Sequence, residues 1–381
     1  MSSVVNRQTC DSAGLDASIS ESSVSTYVFL LGFIDASVPF AYFLRISPDL
    51  WQAASLVLKL FLLAILFRHA TLTQNAYLFI FLIAALVIFS SIRAVNVLAG
   101  GGVSEGYVRA AVFLVEFFVT LALVRRANLR SYMLGAATVL IAGLLLYAAA
   151  AARGTISQEW GRYTYFNDSS PNLGAEIIAI TIVVASCVLS PLKLVAAAVP
   201  AIYAVNLLQG RAALIVVVAA VAIRVATSEL RSLLIPAAAL ALAVLAYNGR
   251  LAPLLHSALM LDDQERGMST GFTGRDQYWG NALRCFLDSP IIGSGVGVDV
   301  EAHNFFLYGL CQFGASSLLI FAIVGAMFAK LVASGRKEMY GMLALPILFV
   351  FNDRFMNLNP YPFLMYVILV AHDNEQPSAI P

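Results

Sequence analysis

Runs of about 20 apolar residues, the length that crosses a bilayer as a helix, recur along this chain from residue 26 to near residue 372, and no other feature constrains its fold as tightly. AALIVVVAAVAIRVA and IPAAALALAVLAY are the apolar centres of two such segments. Hydrophobic residues make up 60% of the 381 and charged residues 12%, too few polar side chains to cover a water-soluble domain of this size. About twelve segments of spanning length can be placed, starting near residues 26, 52, 76, 106, 131, 173, 191, 211, 232, 303, 338 and 359. Inside hydrocarbon each backbone amide must be satisfied within its own segment, so these segments are expected to be helices. The predicted architecture is an all-α polytopic membrane protein with one transmembrane domain over residues 26–372.

The charges outside the spans predict its orientation. Residues 1–25 are Ser-rich, lack an apolar run ahead of a small-residue cleavage site, and read as a disordered cytoplasmic tail rather than a signal peptide. Residues 373–381 read as a second cytoplasmic tail. With the N-terminus inside, short cytoplasmic turns carry RRANLR at 125–130, then Lys193, Arg224 and Arg231, then Arg336 and Lys337. The two longest polar segments, about 153–172 and 248–302, then face the periplasm. The second is expected to contain short helices. In DQYWGNALRCFL, Tyr278, Ala282 and Phe286 are four apart, with Trp279 and Leu283 beside them, as one apolar face at the membrane surface requires. Glycines at 293, 295 and 297 fit either a flexible turn or a nest of backbone amides around an anion. The four cysteines, Cys10, Cys187, Cys285 and Cys311, have no short paired spacing, so neither a metal site nor a disulfide framework is expected. No internal repeat is visible.

An ionisable side chain within a span costs about 2.5 to 3.5 kcal/mol, so each needs a reason. Asp35 and Lys59 are expected to pair across neighbouring helices. Arg93 and Arg109 can snorkel to the interface, with Glu116 as a partner, and the acidic LDDQER run (Asp262, Asp263, Glu265) reads as a solvated loop face. Arg211 follows Gly210 at an outer hinge between two apolar runs, where its guanidinium fits either a phosphate or a lipid headgroup. His303 opens an apolar helix beside Glu301 and Asn304; an imidazole there is either a packed helix-start residue or a general base. Arg275, after a Thr-Gly turn, is either solvated or a ligand contact.

Taken in order, Gly274-Arg275, Trp279, Pro290, Gly295 and Gly297, His303-Asn304 and Gly314 resemble the shared region of the O-antigen ligase and O-antigen polymerase superfamily. Upstream, GRYTYFNDSSPNLGAEI is similar to that family's outer segment ending in Pro-Asn (Pro171, Asn172), and LLQGRAAL to its hinge arginine. The likeness covers about residues 160–320. Neither arginine stands in the Arg-x-x-x-Leu pattern sometimes given for the family, and the match rests on position.

The resemblance implies a glycosyltransferase of the GT-C type in a bacterial inner membrane, with its active site facing the periplasm and needing neither cofactor nor metal. It would take a glycan from an undecaprenyl-diphosphate donor to a hydroxyl of the lipid A-core oligosaccharide, inverting the anomeric centre. Arg211 and Arg275 would bind the diphosphate and His303 would be the general base. Arg162, Asn172, Asn304 and Arg354 would be supporting substrate contacts. The same residues serve a polymerase that joins lipid-linked repeat units of an exopolysaccharide or O-antigen. A lipid-linked sugar transporter is a further alternative, which would require broken helices in both halves and charges along a midplane path. No feature suggests nucleic acid as a partner.

Overall fold

The computed structural model describes residues 21–67, 129–159, 162–166, 170–253, 275–294, 300, 302–333 and 335–351. The expected spans starting near residues 76, 106 and 359 lie outside these, as do Arg93, Arg109, Glu116, the LDDQER run, Gly295, Gly297 and Arg354. Helix dominates what is described. In chain order the helices are α1 (Glu21–Asp35), α2 (Val38–Leu44), α3 (Pro48–Phe67) and α4 (Leu129–Ala152). A two-residue antiparallel hairpin, β1 (Gln158–Glu159) and β2 (Arg162–Tyr163), follows. Next come α5 (Pro171–Val188), α6 (Pro191–Leu208), α7 (Arg211–Ala226), α8 (Arg231–Tyr247) and α9 (Arg275–Asp288). The C-terminal part comprises α10 (Phe305–Phe313), a 3-10 turn, α11 (Ser317–Ala333), a 3-10 segment (Lys337–Ala344) and α12 (Leu345–Phe351).

Proline marks several helix starts, at Pro39, Pro171 and Pro191, where the missing amide would have had no helical partner. Among the described residues, α4 from Arg130, α5 and α6 are long and apolar enough to cross a membrane. Two bent pairs raise the candidate spans to as many as five. The chain therefore has helices suited to a membrane, and α7 and α8, at 16 and 17 residues, are shorter apolar helices.

Three expectations are corrected here. The first helix starts at Glu21, inside the stretch read as tail, and bends by 54° between Asp35 and Val38. The apolar segment expected to run on from residue 303 is likewise broken, by 60° between Leu319 and Val324. The segment expected near 338 begins as 3-10 turns and becomes α-helix only at Leu345. Summed hydropathy is blind to such bends because it adds side chains without regard to backbone direction.

The Lys59 ammonium pairs with the Asp35 carboxylate, which also accepts from the Tyr132 hydroxyl, and the Trp51 indole donates to Ser37 Oγ at 2.9 Å. The expected ion pair is thus present, buried, and joined by a third polar partner. α1 crosses α4 closely: a Cβ on Gly32 would stand 2.1 Å from the Tyr132 carbonyl oxygen, and one on Gly135 2.1 Å from that of Phe29. Further along, α5, α6 and α7 pack side by side, and Gly341 is seated between Ser186 and the Ala220 carbonyl.

Candidate active site at one rim of the bundle

The α6–α7 hinge is built by backbone chemistry. Gln209 takes a left-handed conformation (φ 54°), and the Gly210 amide donates back to the Val205 carbonyl at 3.1 Å, closing the end of α6. A Cβ on Gly210 would lie 2.3 Å from that of Ala175, so only glycine lets the hinge rest on the first turn of α5. Arg211 opens α7 from this point. The Arg162 guanidinium, reaching in from β2, gives Nε and Nη2 to the Leu208 carbonyl at 3.1 and 2.6 Å, and Nη2 also to Asn172 Oδ1 at 3.0 Å. A cation on the carbonyl end of α6 suits the helix dipole. Arg162, Asn172 and Arg211 are therefore brought together, with Arg162 and Asn172 bracing the hinge that carries Arg211.

Beneath the hairpin, Tyr42, Tyr147, Tyr165 and Phe166 form an aromatic plug with ring centroids 4.8 to 5.8 Å apart. Gly174 admits Tyr165 against α5, and the Tyr147 hydroxyl donates to the Thr164 carbonyl at 3.2 Å. Burial pushes the Tyr165 phenol well above its ordinary value, and the neighbouring Tyr147 and Tyr42 add to the effect.

The second group is assembled by α9, α10 and α12. Asn304 caps α10, its Oδ1 accepting from the Phe306 and Leu307 amides at 2.9 and 3.0 Å, while its Nδ2 donates to the Val350 carbonyl at 3.0 Å. His303 therefore precedes the helix rather than opening it, and stands at φ 45°, a conformation that few residues other than glycine adopt. Its ring meets that of Tyr278 edge-on, centroids 5.3 Å apart. One turn before Tyr278 on α9, the Arg275 guanidinium lies 5.5 Å from the centre of the Phe351 ring, within cation–π range. Arg275, His303 and Asn304 thus meet around Tyr278 and the end of α12.

Both groups lie at the same end of the bundle. The Thr227 hydroxyl donates to the Lys337 carbonyl at 3.3 Å, and Gly341 sits beside Ala220, so the chain from Lys337 runs antiparallel to α7. At about 1.5 Å per residue in α-helix and about 2 Å in 3-10 turns, the climb from Lys337 to Phe351 and the length of α7 are each about 24 Å. That climb brings Phe351, and with it Arg275 and Asn304, to the level of Arg211. α12 packs against both α7 and α10.

Three readings change. Cys285 and Cys311, for which no disulfide was expected, are joined, their Cα atoms 5.1 Å apart. Their separation of 26 residues carries no sequence signature, and it is the folding of α9 onto α10 that places them together. Gly293, read as part of a flexible turn or anion nest, is at φ 70° with its α-carbon against the Gln312 backbone, and Gly314 at φ 61° backs onto Gly293. It serves close packing. On α9, Ala282 is the buried residue and Leu283, expected on the same face, is exposed. Phe351 and Gln209 had no signal in the sequence beyond residue type, and Tyr278 was marked only as part of an apolar face. Among the described residues, no three His, Cys, Asp or Glu side chains converge as a metal would require.

These helices define a helical protein with segments suited to crossing a membrane. No family model, curated protein or solved structure matches the chain.

Proposed function

We propose that the protein is a polytopic membrane glycosyltransferase of about twelve spans that transfers a glycan from undecaprenyl diphosphate to a hydroxyl acceptor, and that it acts as an O-antigen ligase on the lipid A-core. The observation that carries this reading is the meeting of Arg275 with His303 around Tyr278, at the rim where Arg211 opens α7. Fixed cations in a low-dielectric rim stabilise the charge that develops on a departing diphosphate. The acceptor oxygen would form its bond to the anomeric carbon as the bond to the diphosphate oxygen breaks. His303 would take the hydroxyl proton, and Arg211 and Arg275 the charge of the leaving group. Attack from the side opposite the diphosphate inverts the centre. In this scheme Arg162, Asn172 and Asn304 hold the two arginines and the imidazole in place, and Arg354 is a further contact. The Cys285–Cys311 disulfide favours a periplasmic rim, since such bonds persist in oxidising compartments.

A polymerase would use the same donor site and differ in its acceptor. The transporter reading is favoured by the two bent helix pairs and by the buried Asp35–Lys59 pair beside the first bend. Deleting the gene and resolving the surface polysaccharide on a gel separates the three. A ligase predicts loss of every core-attached ladder while polymer accumulates on its lipid carrier. Core bearing a single repeat unit indicates a polymerase, and unpolymerised carrier-linked units trapped on the cytoplasmic side indicate a transporter. Transfer by purified enzyme is expected to continue in the presence of a chelator.

A further inference from the structure

Four ties hold α9 and the loop after it against α10 and its flanking residues. The Tyr278 ring meets His303, the Cys285 sulfur is bonded to Cys311, the Ser294 amide donates to the Cys311 carbonyl at 2.8 Å, and the Ala315 amide donates to the Pro290 carbonyl at 2.7 Å. In three of them the partner lies 25 or 26 residues further along the chain, so the two helices run parallel, while Ser294 folds back over 17 residues onto Cys311. The disulfide is the tie in the middle. Along α9, Arg275, Tyr278, Ala282 and Cys285 fall on one stripe, which carries the two rim groups at its top and the sulfur at its foot.

The stripe is narrow. Asp276, Gln277, Asn281, Arg284 and Asp288 are exposed, and among the described residues the extensive packing of α9 is with α10 alone. An isolated helix of 14 residues is marginal in water, and single hydrogen bonds or ring contacts contribute little each. A covalent bond at the foot of the stripe is what can fix Arg275 and Tyr278 against His303.

We propose that the Cys285–Cys311 disulfide is a positioning device for the rim: closed by thiol oxidation, it holds Arg275 and Tyr278 at His303, and the protein binds a polyprenyl diphosphate fully only in the oxidised state. The binding half rests on the function proposed above. Closure needs a disulfide-bearing thiol oxidant in the compartment that the rim faces. One cysteine thiolate attacks the oxidant's disulfide, and the second displaces the mixed disulfide. The oxidant leaves as a dithiol, having gained two electrons and the two protons that the cysteines lost.

The test uses full-length protein in detergent, with Cys10→Ser and Cys187→Ser to silence the other thiols. Under denaturing conditions, maleimide-polyethylene glycol should modify neither Cys285 nor Cys311 before reduction and both afterwards; modification of both without reductant overturns the proposal. Reduction should speed hydrogen exchange of the α9 amides about thirtyfold or more, the lower end of what closing a loop of this length confers. Unchanged exchange overturns it too. Undecaprenyl diphosphate should bind about tenfold more weakly to the reduced protein, with reoxidation restoring the affinity, and equal binding in both states overturns the binding half. If neither state binds the lipid, the proposed function fails, while labelling and exchange still decide the clamp. Cys285→Ser, at the partly exposed partner, should reproduce the reduced state without disturbing buried Cys311.

Discussion

At His303 the backbone and the side chain make separate demands. A positive φ on a residue other than glycine costs of order 1 kcal/mol, and the ring contact of the imidazole with Tyr278 offsets part of it. His303→Gly relieves the positive φ but gives up the ring contact with Tyr278, so it should fold with near-native stability, yet under the proposed function lose transfer as completely as His303→Ala, by about 10² to 10⁴ in rate. Near-native transfer by the glycine variant in a purified assay would remove His303 as the base. For Arg211 and Arg275 the informative change is to lysine, which keeps the charge and loses the forked geometry. Each is expected to reduce transfer about a hundredfold, and full activity in both variants would leave only a general charge effect. Tyr165 gives a prediction of a different kind. Its phenol is raised by burial, so the folded state holds the proton more tightly than the unfolded chain. Its stabilising contribution is complete below the ordinary tyrosine value of about 10 and declines as pH rises above it. Thermal melts in detergent should show that decline in the native protein and a shallower one in Tyr165→Phe. The residue types of the candidate site were legible in advance: Arg211 and His303 stood out because charge and imidazole are costly beside apolar spans, and Arg275 through the resemblance of the motifs around it. What Asn304 and Arg162 do was not legible, since a cap on α10 and a brace on α6 are defined by backbone atoms that a side-chain pattern cannot show.

Where α1 meets α4, the crossing depends on two missing side chains. Gly32 and Gly135 each let backbone meet backbone, as small residues do between membrane helices. Gly135→Leu should drive these helices apart, cost about 1 to 3 kcal/mol or more, and lower the thermal midpoint of the detergent-solubilised protein; an unchanged midpoint would mean that the crossing is not as close as described. The Asp35–Lys59–Tyr132 cluster sits next to this crossing and fixes its rotation. That Asp35 and Lys59 should pair was readable from the cost of burying either alone. The bend after Asp35 coincides with Ser37 and Pro39 at the start of α2, whereas the bend after Leu319 falls among apolar residues like those of the helices around it. Proline alone does not identify a bend, since Pro200 and Pro236 lie within helices that continue through them.

For the molecule as a whole, the decisive arrangement is that two groups far apart in sequence arrive at one rim, and the side of the membrane on which that rim lies is directly measurable. Asn281→Cys places a thiol on the exposed face of α9. In intact cells it should react with a membrane-impermeant maleimide from the periplasm, and reaction only after the inner membrane is opened would reverse the proposed orientation. Apolar content alone determined that this chain forms helices suited to a bilayer, because 60% hydrophobic residues leave a soluble fold no surface to present. It also determined which few polar side chains had to be explained. The register of α9 on α10, the joining of Cys285 to Cys311, and the return of α12 along α7 to bring Phe351 level with Arg211 were decided only by tertiary packing. The physical reason is that each depends on which surfaces meet across long sequence separations, and contacts of that range are fixed by shape and by backbone groups rather than by any local pattern of residue types.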